Sequence, residues 1–179
     1  MQFNDKQVDL VADRFDLALR IANLVDSSLL ARRLCRVRIL LVGSPAYFER
    51  HGRPRHPSDL ARHKAMQYAY SRSGMTWHFH HKRHGAYTQT MLSNLSVNNA
   101  EALTPSLLAG LGVALQPEFL VWSDLQSGAL ETVMEGWEVE PIALHIVTPP
   151  GRSRPARVQA LIEYLAKRFT QEPWARSAE

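Results

Sequence analysis

The sequence predicts an α/β protein. Apolar runs typical of strands alternate with amphipathic segments typical of helices along the chain. Two runs, VRILLV at 37–42 and IALHIV at 142–147, are almost continuously apolar, as expected for central strands covered on both faces. The segment 155–169 carries its apolar residues on one helical stripe. These are Val158, Leu161, Ile162, Leu165 and Phe169.

Size and charge restrict the classes of protein that fit. The chain has 179 residues, of which 45% are hydrophobic and 21% charged, which suits one domain or two small lobes. Its net charge is +4, and its basic residues are scattered along the sequence. The densest basic group, Arg32 to Arg38, runs into an apolar strand, and no zinc-finger, basic-zipper or RNA-binding motif is present. The positive charge therefore does not by itself indicate a nucleic-acid-binding surface.

Cysteine usage and the N-terminus predict a reducing compartment. Cys35 is the single cysteine, and one thiol cannot form an internal disulfide. Met1–Leu10 contains several charged and polar residues and does not resemble a signal peptide. No run of about 18 apolar residues predicts a membrane span. A cytoplasmic protein is expected.

The first third of the chain predicts two strands followed by a well-marked helix. A short helical turn is expected at 8–14, a strand at 15–21, a turn at 26–28 and a connection at 29–36 that leads to the strand at 37–42. The next helix is predicted over Pro45–His51. Ser44 suits its N-cap, Pro45 its first position and Gly52 the residue after its end.

The remaining elements follow from period and turn residues. Ser58 is expected to cap another short helix, and Asn98-Asn99 a helix over 100–110 that contains Pro105 near its start. The helix expected at 117–126 ends before Gly128. Strands are predicted at 66–70, 76–80, 85–91, 95–97, 113–115 and 142–147, and the last helix at 155–169.

Several segments, in order, resemble the effector-binding domain of LysR-type bacterial transcription regulators. They include DLVADRFDLALR at 9–20, DSSL at 26–29, SPAYF at 44–48, NNAEAL at 98–103 and AGLGVALQP at 109–117. The resemblance spans residues 5–170, and its strength lies in the joint order and spacing of the motifs. Arg14, Ala22-Asn23 and Gln116 depart from the family pattern, since Gln116 stands where an apolar residue is usual.

The resemblance implies a two-lobed, periplasmic-binding-protein-like (type II) fold. Lobe one would hold 1–36 and 143–179, lobe two 37–142, and the strands 37–42 and 142–147 would cross between them. The family's winged helix-turn-helix, linker helix and first strand–helix–strand do not precede Met1. Lobe one is therefore expected to be incomplete, and the chain is expected not to bind operator DNA alone.

The function implied is effector sensing and oligomerisation for a regulator that controls transcription through a DNA-binding domain absent here. The expected partners are a small-molecule effector, with a carboxylate as the leading class, and further copies of the chain. A free-standing solute-binding protein is the alternative, but the absent signal peptide argues against export. An enzyme has no supporting set of acid, base and nucleophile, and no cofactor is expected.

Candidate effector-binding residues lie where strands meet helices. Asn98 and Asn99 can cap a helix, and the free N–H groups of such a terminus also favour an anion. The other candidates are carried over by position in the family, at the cleft that the resemblance places between the lobes. The full set is Ala22, Asn23, Gly43, Ser44, Asn98, Asn99, Gln116 and Pro117.

The spacing of the histidines and of the residues around Ser44 argues against a metal site and against a nucleophilic serine. His78 and His80 share one strand face, but His81 points away and no cysteine is near, so a solvated hairpin is preferred to a zinc site. Ser44 lacks the glycine two residues later that a nucleophile elbow requires. No metal site and no catalytic residue are therefore predicted.

Overall fold

The computed structural model describes residues 10, 12, 15–21, 30–71, 73–150 and 155–176. The chain forms two compact units. The central unit contains Ile39–Glu140, and the terminal unit contains the described residues from 10 to 38 and from 141 onwards. None of the helices within the described ranges is long and apolar enough to cross a membrane.

Strands and short helices alternate along the described chain. The strands are β1 (Ala18–Ile21), β2 (Leu30–Val37), β3 (Ile39–Gly43), β4 (Ala65–Tyr68), β5 (Thr76–His81), β6 (Gly85–Thr90), β7 (Ser93–Val97), β8 (Ala114–Pro117), β9 (Glu131–Thr132), β10 (Trp137–Val139) and β11 (Ile142–Thr148). The helices are α1 (Pro45–His51), α2 (Thr104–Leu108), α3 (Glu118–Ser127), α4 (Ala156–Phe169) and α5 (Pro173–Arg176), with 3-10 helices over Pro57–Arg62 and Ala100–Leu103. The predicted α/β class is confirmed.

The terminal unit is built on an antiparallel sheet in the order β1-β11-β2. Helix α4 packs on this sheet because its apolar stripe meets the centre of β11. Val158 and Ile162 of α4 are buried with Ile146 of β11. The pairing of β11 with β2 shifts register between Leu144 and His145, and this β-bulge leaves Leu34 without a partner in the ladder.

The central unit contains strands that run in two directions. β3 pairs antiparallel with both β8 and β9, whereas β4 pairs parallel with β7. A parallel bridge between Ala65 and Val113 joins β4 to the residues that lead into β8, and Met66 N–H donates to the Val113 carbonyl at 2.9 Å. Strands β4, β7 and β8 therefore run the same way, and β3 runs against β8. A separate antiparallel ribbon has the order β10-β5-β6.

Two apolar clusters form the core of the central unit. Helix α1 contributes two fully buried aromatic rings to the first, and helices α2 and α3 cover the second. The first includes Leu41, Tyr47, Phe48, Leu60, Trp77 and Phe79. The second includes Val42, Met66, Leu103, Leu107, Val121 and Leu130.

The prediction of helix α1 and of the residues at its two ends is confirmed. It spans Pro45–His51 as predicted, Ser44 Oγ accepts a bond from Tyr47 N–H, and Gly52 follows its end with φ of 82°. Glycine reaches such a positive φ without steric cost. The other predicted N-cap next to this region, Ser58, is wrong. The 3-10 helix starts at Pro57, and its N-cap is His56, two residues before Ser58. A ring nitrogen of His56 caps the helix.

Two further predicted elements are divided in the structure. The strand expected at 37–42 is interrupted at Arg38, so Val37 ends β2 and Ile39 begins β3. The segment 29–36, predicted as a connection, lies largely in β2. The helix expected at 100–110 consists of a 3-10 turn and then α2. Pro105 has no N–H to donate, and it stands at the start of a new helix.

Candidate functional site

Three parallel strands of the central unit end on the same edge. β4 ends at Tyr68, β7 at Val97 and β8 at Pro117, and the carboxyl ends of parallel strands meet at one side of a sheet. Polar residues stand at or just beyond these ends. We call this surface the carboxyl edge and define it by Tyr68, Asn98, Asn99, Gln116 and Pro117.

The two asparagines follow β7 directly. Asn98 is exposed and Asn99 is half-buried. Asn99 Oδ1 accepts a bond from Ala102 N–H at 3.2 Å, so Asn99 caps the 3-10 helix over Ala100–Leu103. The capping role predicted for this pair is therefore present, and it belongs to Asn99. The side chain of Asn99 also carries an amide NH₂ group, which is a hydrogen-bond donor.

Gln116 ties the end of β8 to the backbone that follows β7. Its side chain is fully buried, and its Nε2 donates to the Ala100 carbonyl at 3.1 Å. Its Oε1 is buried with no hydrogen-bond partner within the described part of the chain. A buried acceptor without a donor costs about 1–3 kcal/mol. Gln116 thus stabilises the carboxyl edge through its NH₂ group, while its carbonyl oxygen accepts no hydrogen bond from the described residues.

Pro117 begins the next helix at the same edge. It precedes α3 with φ of −57° and ψ of 130° and supplies no side-chain cap. Glu118 follows in the first turn of α3 and is buried. An acidic residue in this position interacts favourably with the positive end of the helix dipole.

The antiparallel pairing of β3 and β8 separates the predicted residues into two groups. Ile39 pairs with Pro117 and Val42 pairs with Ala114, so the end of β3 at Gly43 lies beside the start of β8. Four residues of strand span about 13 Å. Gly43 and Ser44 therefore lie at the opposite end of the β3–β8 pair from Gln116 and Pro117, because β3 runs against the parallel strands.

Gly43 and Ser44 have a packing role at the opposite edge. A Cβ at Gly43 would lie 2.8 Å from Phe48 Cζ, so glycine permits the close approach of this buried ring. Ser44 is buried and its Oγ is 3.4 Å from Tyr47 N. Its backbone carbonyl also accepts from the N–H groups of Tyr47 and Phe48. These contacts stabilise the first turn of α1.

The two candidates from the terminal unit, Ala22 and Asn23, lie outside the described residues. The proposal that they bind an effector is therefore based on their position in the resemblance alone.

Sequence reasoning missed the end of β4. Tyr68 and the exposed Tyr70 stand at or beyond its carboxyl end, with ring centroids 5.8 Å apart at 88°. The signal was available, because MQYAY reads as a strand end by the same rule that selected Asn98-Asn99. Aromatic rings beside amide groups are typical of small-molecule sites.

The histidines of the β5–β6 ribbon surround a tryptophan. His81 and His84 rings lie 4.5 Å apart, and each contacts Trp137. His81 Nδ1 accepts bonds from the N–H groups of Arg83 and His84, which assigns its proton to Nε2 in the neutral ring. Desolvation, with His84 and Arg83 nearby, lowers the pKa of His81. Within the described ranges no group of three or more His, Cys, Asp or Glu side chains could hold a metal ion.

Comparisons with known proteins agree with one another. The family model described as LysR substrate binding domain matches residues 1–170. The chain is 34% identical over 174 residues to the HTH-type transcriptional regulator PtxR of Pseudomonas aeruginosa, covering 97% of this chain and 55% of that protein. It is 30% identical over 161 residues to an uncharacterized HTH-type transcriptional regulator of Haemophilus influenzae, covering 90% and 56%.

A solved structure supports the fold. CrgA, a LysR-type transcriptional regulator from Neisseria meningitidis, matches with a TM-score of 0.78 and 26% identity, covering 89% of this chain and 54% of that one. The predicted periplasmic-binding-protein-like architecture is confirmed by these neighbours. The chain spans about half the length of the curated relatives it matches. Because the family model covers nearly all of it, the chain belongs to the family of LysR substrate binding domains.

Proposed function

We propose that this chain senses a small molecule on behalf of a LysR-type transcription regulator. The relatives that support this are HTH-type regulators of about twice its matched length. In such a protein the effector acts by binding two arrangements with different affinity, and the DNA-binding part responds to the resulting shift in population. The alternative of a free-standing solute-binding protein is not favoured by these relatives.

The effector site that we propose is the carboxyl edge of the central unit. One observation carries this assignment. The ends of β4, β7 and β8 bring Asn98, Asn99, Gln116 and Pro117 to one side of a sheet, and ligands of open α/β sheets bind beyond the carboxyl ends of strands. Gly43 and Ser44 are left out of the proposed site because they lie at the other end of β3.

The ligand class that we propose is a small carboxylate. Side-chain amide NH₂ groups donate to a carboxylate, and Tyr68 with Tyr70 supplies apolar ring surface. Gln116 is fully buried and holds this edge together through its bond to the Ala100 carbonyl. The groups that would contact the ligand are therefore the side chains of the asparagines and the tyrosines.

A thermal-shift screen of small carboxylates tests the proposal, since a ligand that binds only the folded state raises apparent stability. For a compound that binds, Asn99→Asp is expected to weaken affinity about tenfold by charge repulsion, while Asp still caps the helix. The matched control is Asn94→Asp, which adds the same charge to an exposed residue of β7, about 13 Å before Asn98.

Equal weakening by both aspartates would indicate a general charge effect and would contradict a site at Asn99. Unchanged affinity in Asn99→Asp would remove the asparagines from the site. The chain by itself is expected to show no sequence preference for duplex DNA. A gel shift at physiological salt that shows preferred binding to one operator sequence would contradict the proposal that a separate DNA-binding part recognises the operator.

A further inference from the structure

An open cavity of about 470 Å³ lies in the terminal unit, between the edge strand β2 and the second half of α4. Three consecutive residues of β2, Arg32, Arg33 and Leu34, line one side. One face of α4 and the residue that follows its end line the other side, at spacings of three and four positions. These residues are Glu163, Ala166, Lys167 and Thr170. The volume falls within the range of small-molecule sites, about 300–1,000 Å³.

The β-bulge explains how consecutive residues of one strand reach the same cavity. Side chains normally alternate between the two faces of a strand. Here Arg33 pairs with His145 and Cys35 pairs with Leu144, so Leu34 is the extra residue. A bulge re-aims the side chains beside it. It thus places two arginines and a leucine around one opening.

The lining carries an excess of positive charge. Arg32, Arg33 and Lys167 are three cations against one carboxylate, Glu163, which leaves a net charge of two positive. Within the described residues none of the three cations has an ion pair. Glu163 already accepts a bond from Gln159 Nε2 at 2.7 Å. The C-terminal end of α4 adds only a partial negative charge, which Lys167 opposes.

From this arrangement we infer that the cavity binds a small organic phosphate, at a site separate from the carboxyl edge. A phosphate monoester carries nearly two negative charges at neutral pH, which matches the lining. Arginine forks bind its oxygens in pairs, and such charge-assisted bonds are about twice as strong as neutral ones. Leu34 and Ala166 are half-buried and present apolar surface to the organic group.

Calorimetric titration of the chain with phenyl phosphate tests this inference. One molecule is expected to bind per chain, more tightly than inorganic phosphate because of the contact with Leu34, and more tightly than benzoate because of the second charge. Arg32→Gln with Arg33→Gln is expected to reduce affinity about tenfold or more. Lys167→Gln, on the exposed face of α4, is expected to reduce it without disturbing the sheet.

The matched control is Arg36→Gln, an exposed arginine of the same strand that does not line the cavity. It is expected to bind phenyl phosphate as the unaltered chain does. Absence of binding, or equal losses in Arg36→Gln and Lys167→Gln, would overturn the inference. So would benzoate binding more tightly than phenyl phosphate, or inorganic phosphate binding equally well. Asn99 does not line this cavity, so Asn99→Asp is expected to leave the affinity for phenyl phosphate unchanged. The failure of one proposal can therefore be distinguished from the failure of the other.

Discussion

The side-chain amide of Gln116 donates to the backbone carbonyl of Ala100 across 3.1 Å. β4 lies between β7 and β8 in the parallel set, so no described backbone ladder joins those two strands. The Gln116 bond links the end of β8 directly to the residue that follows Asn99. The geometry of the carboxyl edge therefore depends on a fully buried polar side chain.

We expect Gln116→Leu and Gln116→Ala to differ in their effect on stability. Leucine loses the bond to Ala100, worth about 1 kcal/mol, but it also removes the buried, unpartnered Oε1 and fills a similar volume. Its free energy of unfolding should stay within about 1 kcal/mol of the unaltered chain. Alanine leaves a cavity and should cost about 2–3 kcal/mol more. Urea unfolding of the two variants measures the difference, and equal losses would show that the volume at this position contributes nothing.

Gly43→Ala is expected to destabilise the central unit by about 1–3 kcal/mol. The added methyl group would lie 2.8 Å from Phe48 Cζ and 3.3 Å from Val113 Cγ1, so the buried ring of Phe48 must move. In a Phe48→Leu background the cost of the same substitution should shrink. A double-mutant cycle by chemical unfolding measures this coupling, and additive costs would show that the Phe48 ring is not what requires glycine.

Acid should destabilise the fold through His63. This ring is buried, with Nδ1 3.3 Å from Tyr47 Oη, and Tyr47 Oη also accepts from Lys64 N–H. Burial first, then His51 and Arg62, lowers the pKa of His63, and Asp59 opposes them. The unfolded state, with a pKa near 6.5, then binds more protons than the folded state below that pH. Stability is therefore full above about pH 6.5 and is lost as the pH falls through the folded pKa.

Urea unfolding at pH 7.5 and pH 5 measures the effect. His63→Gln should flatten the pH dependence, since glutamine carries no proton to gain. The same substitution at His80, which is exposed on β5, is the matched control and should retain it. A His63→Gln variant as acid-sensitive as the unaltered chain would assign the effect to other groups.

The chain is expected to self-associate through the terminal unit. Leu161 and Tyr164 of α4 are 43% and 63% exposed, and Leu19 and Ile21 of the edge strand β1 are similarly open. Exposed apolar surface and an edge strand both favour association, most commonly as a two-fold dimer. Light scattering at tens of micromolar should give at least a dimer mass. Leu161→Glu with Tyr164→Glu should lower that mass.

Leu92, 84% exposed in the central unit, provides the control for this experiment. Leu92→Glu should leave the mass unchanged because it lies outside the terminal unit. A monodisperse monomer of the unaltered chain would contradict the expected association.

Local signals in the sequence predicted local structure well. The Ser44-Pro45 start of α1 was recognisable because capping depends on residues within one turn. The same reasoning overestimated the helix after Asn99, since it treated Pro105 as tolerated within a single helix when it instead starts a new one. The break at Arg38 was missed because one charged residue between the apolar Val37 and Ile39 does not by itself predict the end of a strand.

The candidate site could be predicted only in part, because strand direction is not written in local patterns. Asn98, Asn99, Gln116 and Pro117 were found from strand ends, and two of these four, Asn99 and Gln116, form hydrogen bonds to the 3-10 helix over Ala100–Leu103. Gly43 and Ser44 also stand at a strand end, but β3 runs the opposite way. The two ends are distinguished only by the direction in which β3 pairs with β8, and that pairing is set by contacts between residues distant in sequence.

The antiparallel β3 has a consequence for how insertions would act on this protein. One end of the strand lies beside Pro117 and the other leads into α1, so its five residues set the spacing between two surfaces. One added residue would exchange the faces of β3 and turn buried Val42 away from its cluster. Two added residues would keep the faces and lengthen the strand by about 7 Å. The length of β3 therefore fixes the distance between these two surfaces, and a change in that length would disturb the fold as much as a change in one of its buried side chains.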